Sequence, residues 1–261
     1  MNNEHQETKS TVTAKIEFGA GEWRFQTKVT IPTEPIRLRQ MLPLVRSLSE
    51  TMIGAVTQDL AQQGHHVSCK KGCGACCRQM VPVSGVEARY LADMVDALPE
   101  PRRTEIRARF AAALERLAES GLLEKMRHNQ QWTDDDYQAL GADYFRLAMP
   151  CPFLEEESCS IHPERPVSCR EFLVTSPAEH CAKVRDENVQ PIRFPFKMWW
   201  ALARFDPLPA DVRYVPWVPL ILALEWAKNH PDEEAARPGP ELVSQLFEKL
   251  AGKEVPPPTA F

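Results

Sequence analysis

The stretch Cys69-Lys-Lys-Gly-Cys73-Gly-Ala-Cys76-Cys77 places four thiols within nine residues, and four more follow at Cys151, Cys159, Cys169 and Cys181. These two sets contain all eight cysteines of the chain. Thiolates hold zinc in tetrahedral sites or hold iron–sulfur clusters, and a closed site of either kind takes four protein ligands. Spacings such as C-x3-C-x2-C let one loop supply several ligands at little loop-closure cost. Gly72 and Gly74 flank Cys73 and permit the tight or left-handed turns such a loop demands. Lys70, Lys71 and Arg78 surround the thiols; positive neighbours favour the thiolate and offset the charge of a metal–thiolate centre. Cys76 and Cys77 are adjacent and tend to point in different directions. One of them then serves a second centre, or packs as a small buried thiol. Spacing leaves two four-cysteine sites, and one site plus reserve thiols, both open.

Working outward, the helical period fails from Met149 to Glu187, where prolines and the second cysteine set appear. Metal ligation would hold this irregular chain. The segments on either side read as helices. Val45, Leu48, Met52, Val56 and Leu60 form one apolar stripe on a helix over 43–63, closed by Gly64. Ser84-Gly85-Val86-Glu87 is a capping-box pattern opening a helix with Tyr90, Leu91, Met94 and Val95 inward. Ile106, Phe110, Leu114 and Leu117 recur at helical spacing before Gly121. Thr133 followed by Asp134, Asp135 and Asp136 caps a helix with Tyr137, Leu140, Tyr144 and Leu147 on its buried side. Further helices are expected over 217–228 and around Leu242 to Leu250, with a frayed tail from Val255. The aromatic run Phe194, Phe196, Trp199, Trp200 and Phe205 reads as core. At the other end, residues 12–31 alternate in polarity around Gly19-Ala20-Gly21 and read as two strands. The expected architecture is mainly α: a helical domain over 36–230 with an irregular, metal-stapled cysteine region, a small N-terminal β-hairpin over 1–35, and a linker with a last helix over 231–261.

Composition narrows the functional classes. A net charge of −5 offers no general attraction for nucleic acid or anionic lipid. The apolar stretch 215–227 is broken by Pro216, Pro219 and Glu225, too short to span a bilayer. The N-terminal residues lack a secretory or transit pattern, so a cytoplasmic location is expected, where thiols stay reduced and serve as ligands rather than disulfides. The expected partners are a metal ion or cluster and an unidentified protein, with neither nucleic acid nor membrane. No Ser-His-Asp set, phosphate-binding glycine loop or paired-carboxylate motif stands out. His65, His66, His162 and His180 lie near the thiols, but with eight thiols on hand a histidine ligand is unnecessary.

The first cysteine stretch, together with Pro150-Cys151-Pro152-Phe153-Leu154 and Cys159-Ser-Ile-His-Pro-Glu-Arg165-Pro166-Val-Ser-Cys169-Arg170, resembles the YkgJ-type cysteine-cluster family. The resemblance covers about Val67 to Cys181, and all eight cysteines find a match. The first gap holds three residues, where the family's CxxCxxCC signature has two. The resemblance implies chelation of zinc or iron, with Cys69, Cys73, Cys76, Cys77, Cys151, Cys159, Cys169 and Cys181 as ligands and an iron–sulfur cluster (4Fe–4S among the options) or zinc as cofactor. Arg165 and Arg170 are candidates to hydrogen-bond cluster sulfurs or to brace the loop.

Two readings follow. In one, the metal is structural and the protein a binding module. In the other, the cluster is used catalytically in a methylase-like or redox enzyme, because Cys69-x3-Cys73-x2-Cys76 has the spacing of the radical S-adenosylmethionine signature. Flagellin lysine methylases carry a related type of cluster. Against a radical barrel, Ala75 stands where that signature usually has an aromatic residue, and repeated β/α units are missing.

Overall fold

The computed structural model describes residues 10–129, 132–183, 186–207 and 215–251. The N-terminal nine residues and the tail expected to fray lie outside them. The described residues are mainly helical, with ten α-helices and four two-stranded sheets.

Strands β1 (Thr11–Ala20) and β2 (Trp23–Pro32) form an antiparallel hairpin in which Ala20 faces Trp23. The turn is therefore Gly21-Glu22, with Gly21 at φ 56°, and Gly19 and Ala20 belong to β1. The inner face carries Phe18, Phe25, Val29 and Ile31, all buried. Phe18 packs on Phe196 and Phe247, so the hairpin is seated on the body through aromatic contacts.

Strand β3 (Pro35–Ile36) leads into α1 (Leu42–Gln62), whose Val45, Leu48, Met52 and Val56 are buried. Gly64 at φ 83° ends this run, and the first cysteine loop follows with one turn at 71–72 and a 3-10 turn over Ala75–Arg78. Next come β4 (Pro82–Val83), α2 (Gly85–Asp96), α3 (Arg102–Glu119), α4 (Leu123–Arg127) and α5 (Asp134–Arg146). The capping boxes of α2 and α5 form as expected: the Ser84 and Thr133 hydroxyls accept from the backbone N–H of Glu87 and Asp136.

The region from 149 resolves into short elements: the hairpin β5 (Leu154–Glu155) and β6 (Ser158–Cys159), then α6 (Val167–Glu171) and α7 (Ala178–Cys181). The aromatic run contributes a short helix, α8 (Met198–Ala203). The expected 217–228 helix starts later. Val218–Pro219 is β7, paired with β4, and the helix is α9 (Ala223–Asn229). Strand β8 (Arg237–Pro238) pairs with β3 and leads into α10 (Gly239–Ala251), which packs on α8 and β2. α2 packs on α9, and α1 on α6, so helices frame the cysteine region from two sides.

Candidate metal centre

Backbone hydrogen bonds bring the two cysteine sets together. The Cys151 N–H donates to the Cys77 carbonyl at 2.7 Å, and the Ser68 N–H donates to the Val174 carbonyl at 2.9 Å. The Ser68 hydroxyl adds a bond to the Thr175 carbonyl at 3.1 Å. Arg78 spans the same junction, donating to the Gly74 carbonyl at 3.0 Å and to the Glu157 carboxylate at 2.9 Å. Glu157 sits in the β5–β6 turn, where Glu156 and Glu157 both take positive φ.

The two glycines act differently. Gly72 adopts φ 86°, a conformation that disfavours other residues. Gly74 has ordinary φ but no room: an added Cβ would lie 2.4 Å from a Glu157 carboxylate oxygen and 2.9 Å from Leu154 Cδ1. It marks where the first loop is pressed onto the β5–β6 hairpin.

All eight cysteines are free thiols. Seven, every one but Cys181, line a single cavity of about 690 Å³. No three His, Cys, Asp or Glu side chains among the described residues converge closely enough to hold one metal ion, so the thiols surround a space. Their electrostatic neighbours fall into two groups. Cys181 feels Cys69, Cys76 and Cys73, whereas Cys169 feels Cys151, Cys76 and Cys159. Cys76 belongs to both, and it shares a hydrogen bond with Cys77.

Burial pushes the thiols up: Cys151 to about 12, Cys181 to about 11, with Cys69, Cys159 and Cys169 also raised. Cys76 is raised first by its hydrogen bond with Cys77 and then by burial. Arg165 works in the opposite direction, its positive charge favouring the thiolates of Cys69, Cys76, Cys159 and Cys169. The two arginines singled out in the sequence thus part company. Arg165 lines the cavity, while Arg170 is buried and holds chain: its guanidinium donates to Glu50 and to the carbonyls of Pro163 and Arg165.

Of the four histidines, His162 lines the cavity, and His65 and His66 are exposed outside it. His180 is hydrogen-bonded through Nδ1 to Asp186 at 2.7 Å. Lys70 and Lys71 line the cavity, whereas Arg102, Arg103, Arg107 and Arg109 are taken up by Glu155, Glu100, Asp96 and Glu155.

Sequence reading missed the rest of the wall. Ser168, Glu171, Lys197 and Trp199 line the same cavity. Glu171 is 1% exposed, and burial raises its carboxyl to about 7. Its Oε1 accepts from the Met198 N–H at 2.8 Å and the Ser49 hydroxyl at 3.2 Å. The available signals were a carboxylate two residues past Cys169 and a lysine inside an aromatic run, and neither forms a motif.

A family model described as "CxxCxxCC: Putative zinc- or iron-chelating domain" matches residues 68–190. The matched residues take in all eight cysteines, so this stretch of the chain is similar to that domain. No curated protein and no solved structure matches the chain. No described helix is long and apolar enough to cross a membrane.

Proposed function

We propose that the protein chelates metal through its eight cysteines, as an iron–sulfur cluster or as zinc. The observation that carries the reading is the cavity itself: five separate pieces of chain (69–77, 151, 159, 169 and 181) place their thiols around one space or at its edge. Core packing alone gives no reason for so many free thiols to gather. We assign Cys69, Cys73 and Cys181 to one group of ligands and Cys151, Cys159 and Cys169 to the other, with Cys76 and Cys77 at the junction. A four-thiolate set for each group is the fullest use of these donors, and eight thiols exceed what one structural zinc needs, which favours iron–sulfur over zinc. When bound, the metal would supply either folding energy or electron transfer. Arg165, Lys70 and Lys71 would balance its negative charge. Free thiols in this number suit a reducing compartment, and we place the protein in the cytoplasm on that ground.

An iron–sulfur enzyme is the second reading. One observation favours it: the cavity extends beyond the thiols onto an apolar wall. The two-stranded sheets of the described residues give no barrel of repeated β/α units, so such chemistry would run on a different scaffold. Protein purified without oxygen, analysed for zinc, iron and acid-labile sulfide with a visible spectrum, tests both. Iron with matching sulfide supports the cluster, stoichiometric zinc without sulfide supports a structural staple, and no metal removes the proposal.

A further inference from the structure

Strand β1 has an edge that no described residue occupies. Its pairing with β2 is continuous from Thr11 opposite Pro32 to Ala20 opposite Trp23. Just before the strand, the Thr33 N–H donates to the Ser10 carbonyl at 2.9 Å, so the even-numbered residues of β1 turn their backbone groups toward β2. By the same alternation the N–H and C=O groups of Thr11, Thr13, Lys15, Glu17 and Gly19 point the other way, and no described residue bonds to them. The far edge of β2 is covered instead: β2 packs on α1 and α10, and Gly239 of α10 has no room for a Cβ beside the Pro32 carbonyl.

The two faces of β1 are unlike. Val12, Ala14, Ile16, Phe18 and Ala20 share the inner face, which carries no charge. Val12, at 41% exposure, is the one large apolar side chain left exposed among the described residues. On the outer face Lys15 stands directly across from Lys28, and like charges so placed repel. Lys15 is paired instead along its own strand, with Glu17 at 3.2 Å, while Glu17 stands across from Gln26. An open strand edge is a template for another strand, and this one carries one charge of each sign beside its free backbone groups.

We propose that β1 pairs edge to edge with β1 of a second copy of this chain, antiparallel about a two-fold axis at Ile16, so that the two hairpins form one four-stranded sheet. The charges select this register. With Ile16 on the axis, Lys15 faces the partner subunit's Glu17 and Glu17 faces the partner subunit's Lys15. Each Lys15 then lies between Lys28 and a carboxylate, which relieves the repulsion inside the hairpin. These are outward-bonding residues on both strands, so the same register closes the backbone hydrogen bonds, as does Thr13 opposite the partner subunit's Gly19. On the inner face Ala14 meets the partner subunit's Phe18, and Val12 meets the partner subunit's Ala20. Moving the axis to Lys15 or to Glu17 sets like charges against each other. The contact is self-complementary, as a two-fold interface requires.

The test is sedimentation velocity on the full-length protein under reducing conditions, over roughly 1–100 µM chain; so small an interface is expected to give a micromolar dimer. Lys15→Glu sets carboxylates against each other across the axis, and Glu17→Lys does the same with ammonium groups. Each variant alone should dimerise at least about tenfold more weakly. Mixed in equal amounts, the two are complementary and should dimerise with each other about as tightly as the wild type does, which also shows that both are folded. Thr13→Pro deletes one outward N–H, leaves the ladder to β2 in place, and should weaken the dimer by about tenfold. Wild-type protein that stays monomeric over the whole range overturns the proposal, and so does a mixture of the two charge variants that stays monomeric. Dimerisation unchanged in all three variants places the contact on another surface and overturns it as well.

Discussion

Glu87 Oε1 accepts the backbone N–H of Val167 at 2.7 Å, joining the first turn of α2 to the first turn of α6, two residues before Cys169. The other oxygen, Oε2, takes the Ser84 N–H and hydroxyl. One buried carboxylate therefore both caps a helix of the frame and fixes the helix that delivers a thiol. Burial holds its carboxyl above the usual range, against the hydrogen bonds that lower it. Glu87→Ala strands two buried N–H groups and should cost about 3 kcal/mol in urea unfolding. Glu87→Gln keeps one acceptor and should lose less than half of that. If the link reaches the site, Glu87→Ala also releases metal faster than wild type at a pH where both stay folded.

The position of Cys76 between the two thiol groups sets an order of effects. Cys76→Ser should lower metal content more than either Cys181→Ser or Cys169→Ser, since each of those belongs to one group. Metal analysis of the three variants, with far-ultraviolet circular dichroism to confirm folding, checks the order. Equal losses would place the thiols in one undivided site.

Metal uptake should depend steeply on pH. Burial holds Cys151 near 12 and Cys181 near 11, so the metal-free thiols are protonated at neutral pH and binding must release protons. Affinity therefore rises with pH across the neutral range, and proton release is measurable in weakly buffered solution. Arg165→Met removes the charge that favours four of the thiolates and should move the uptake curve to higher pH. Arg170→Met should act mainly on stability, because that side chain holds Glu50 and two carbonyls and its charge favours the thiolate of Cys159 more weakly than Arg165 does.

Asp206 offers a pH effect outside the cysteine region. It accepts the Gly85 N–H at 2.8 Å, and burial raises its carboxyl from the usual aspartate value to about 6. A raised carboxyl binds its proton more tightly in the folded state. Its contribution is thus fully present below about pH 4 and is lost as pH climbs through 6, on the order of 2–3 kcal/mol in all. Asp206→Asn should flatten this part of the profile, so the stability difference, wild type minus variant, falls between pH 4 and 6.5. A constant difference would contradict the assignment.

Local signals in the sequence were legible because they are made by neighbours. The Ser84–Glu87 and Thr133–Asp136 boxes and the stop at Gly64 act within one turn of helix, the α1 stripe repeats from each turn to the next, and all are present. The hairpin was legible from alternation, but its turn was misplaced by two residues because Gly19 also fits a strand. The eight thiols were visible as two sets, while their grouping was not. It depends on contacts such as Cys151 to Cys77, across 74 positions of chain, which no local pattern encodes. The same holds for Glu171 and Lys197, whose place on the cavity wall no local pattern encodes.

The central claim is that these thiols hold metal. The most direct measurement is metal and acid-labile sulfide content per chain in anaerobically purified protein, paired with the number of thiols open to alkylation before and after chelation. The account predicts bound iron or zinc with the thiols protected, and their exposure once metal is stripped. Metal-free protein whose cysteines react equally before and after chelator would contradict it.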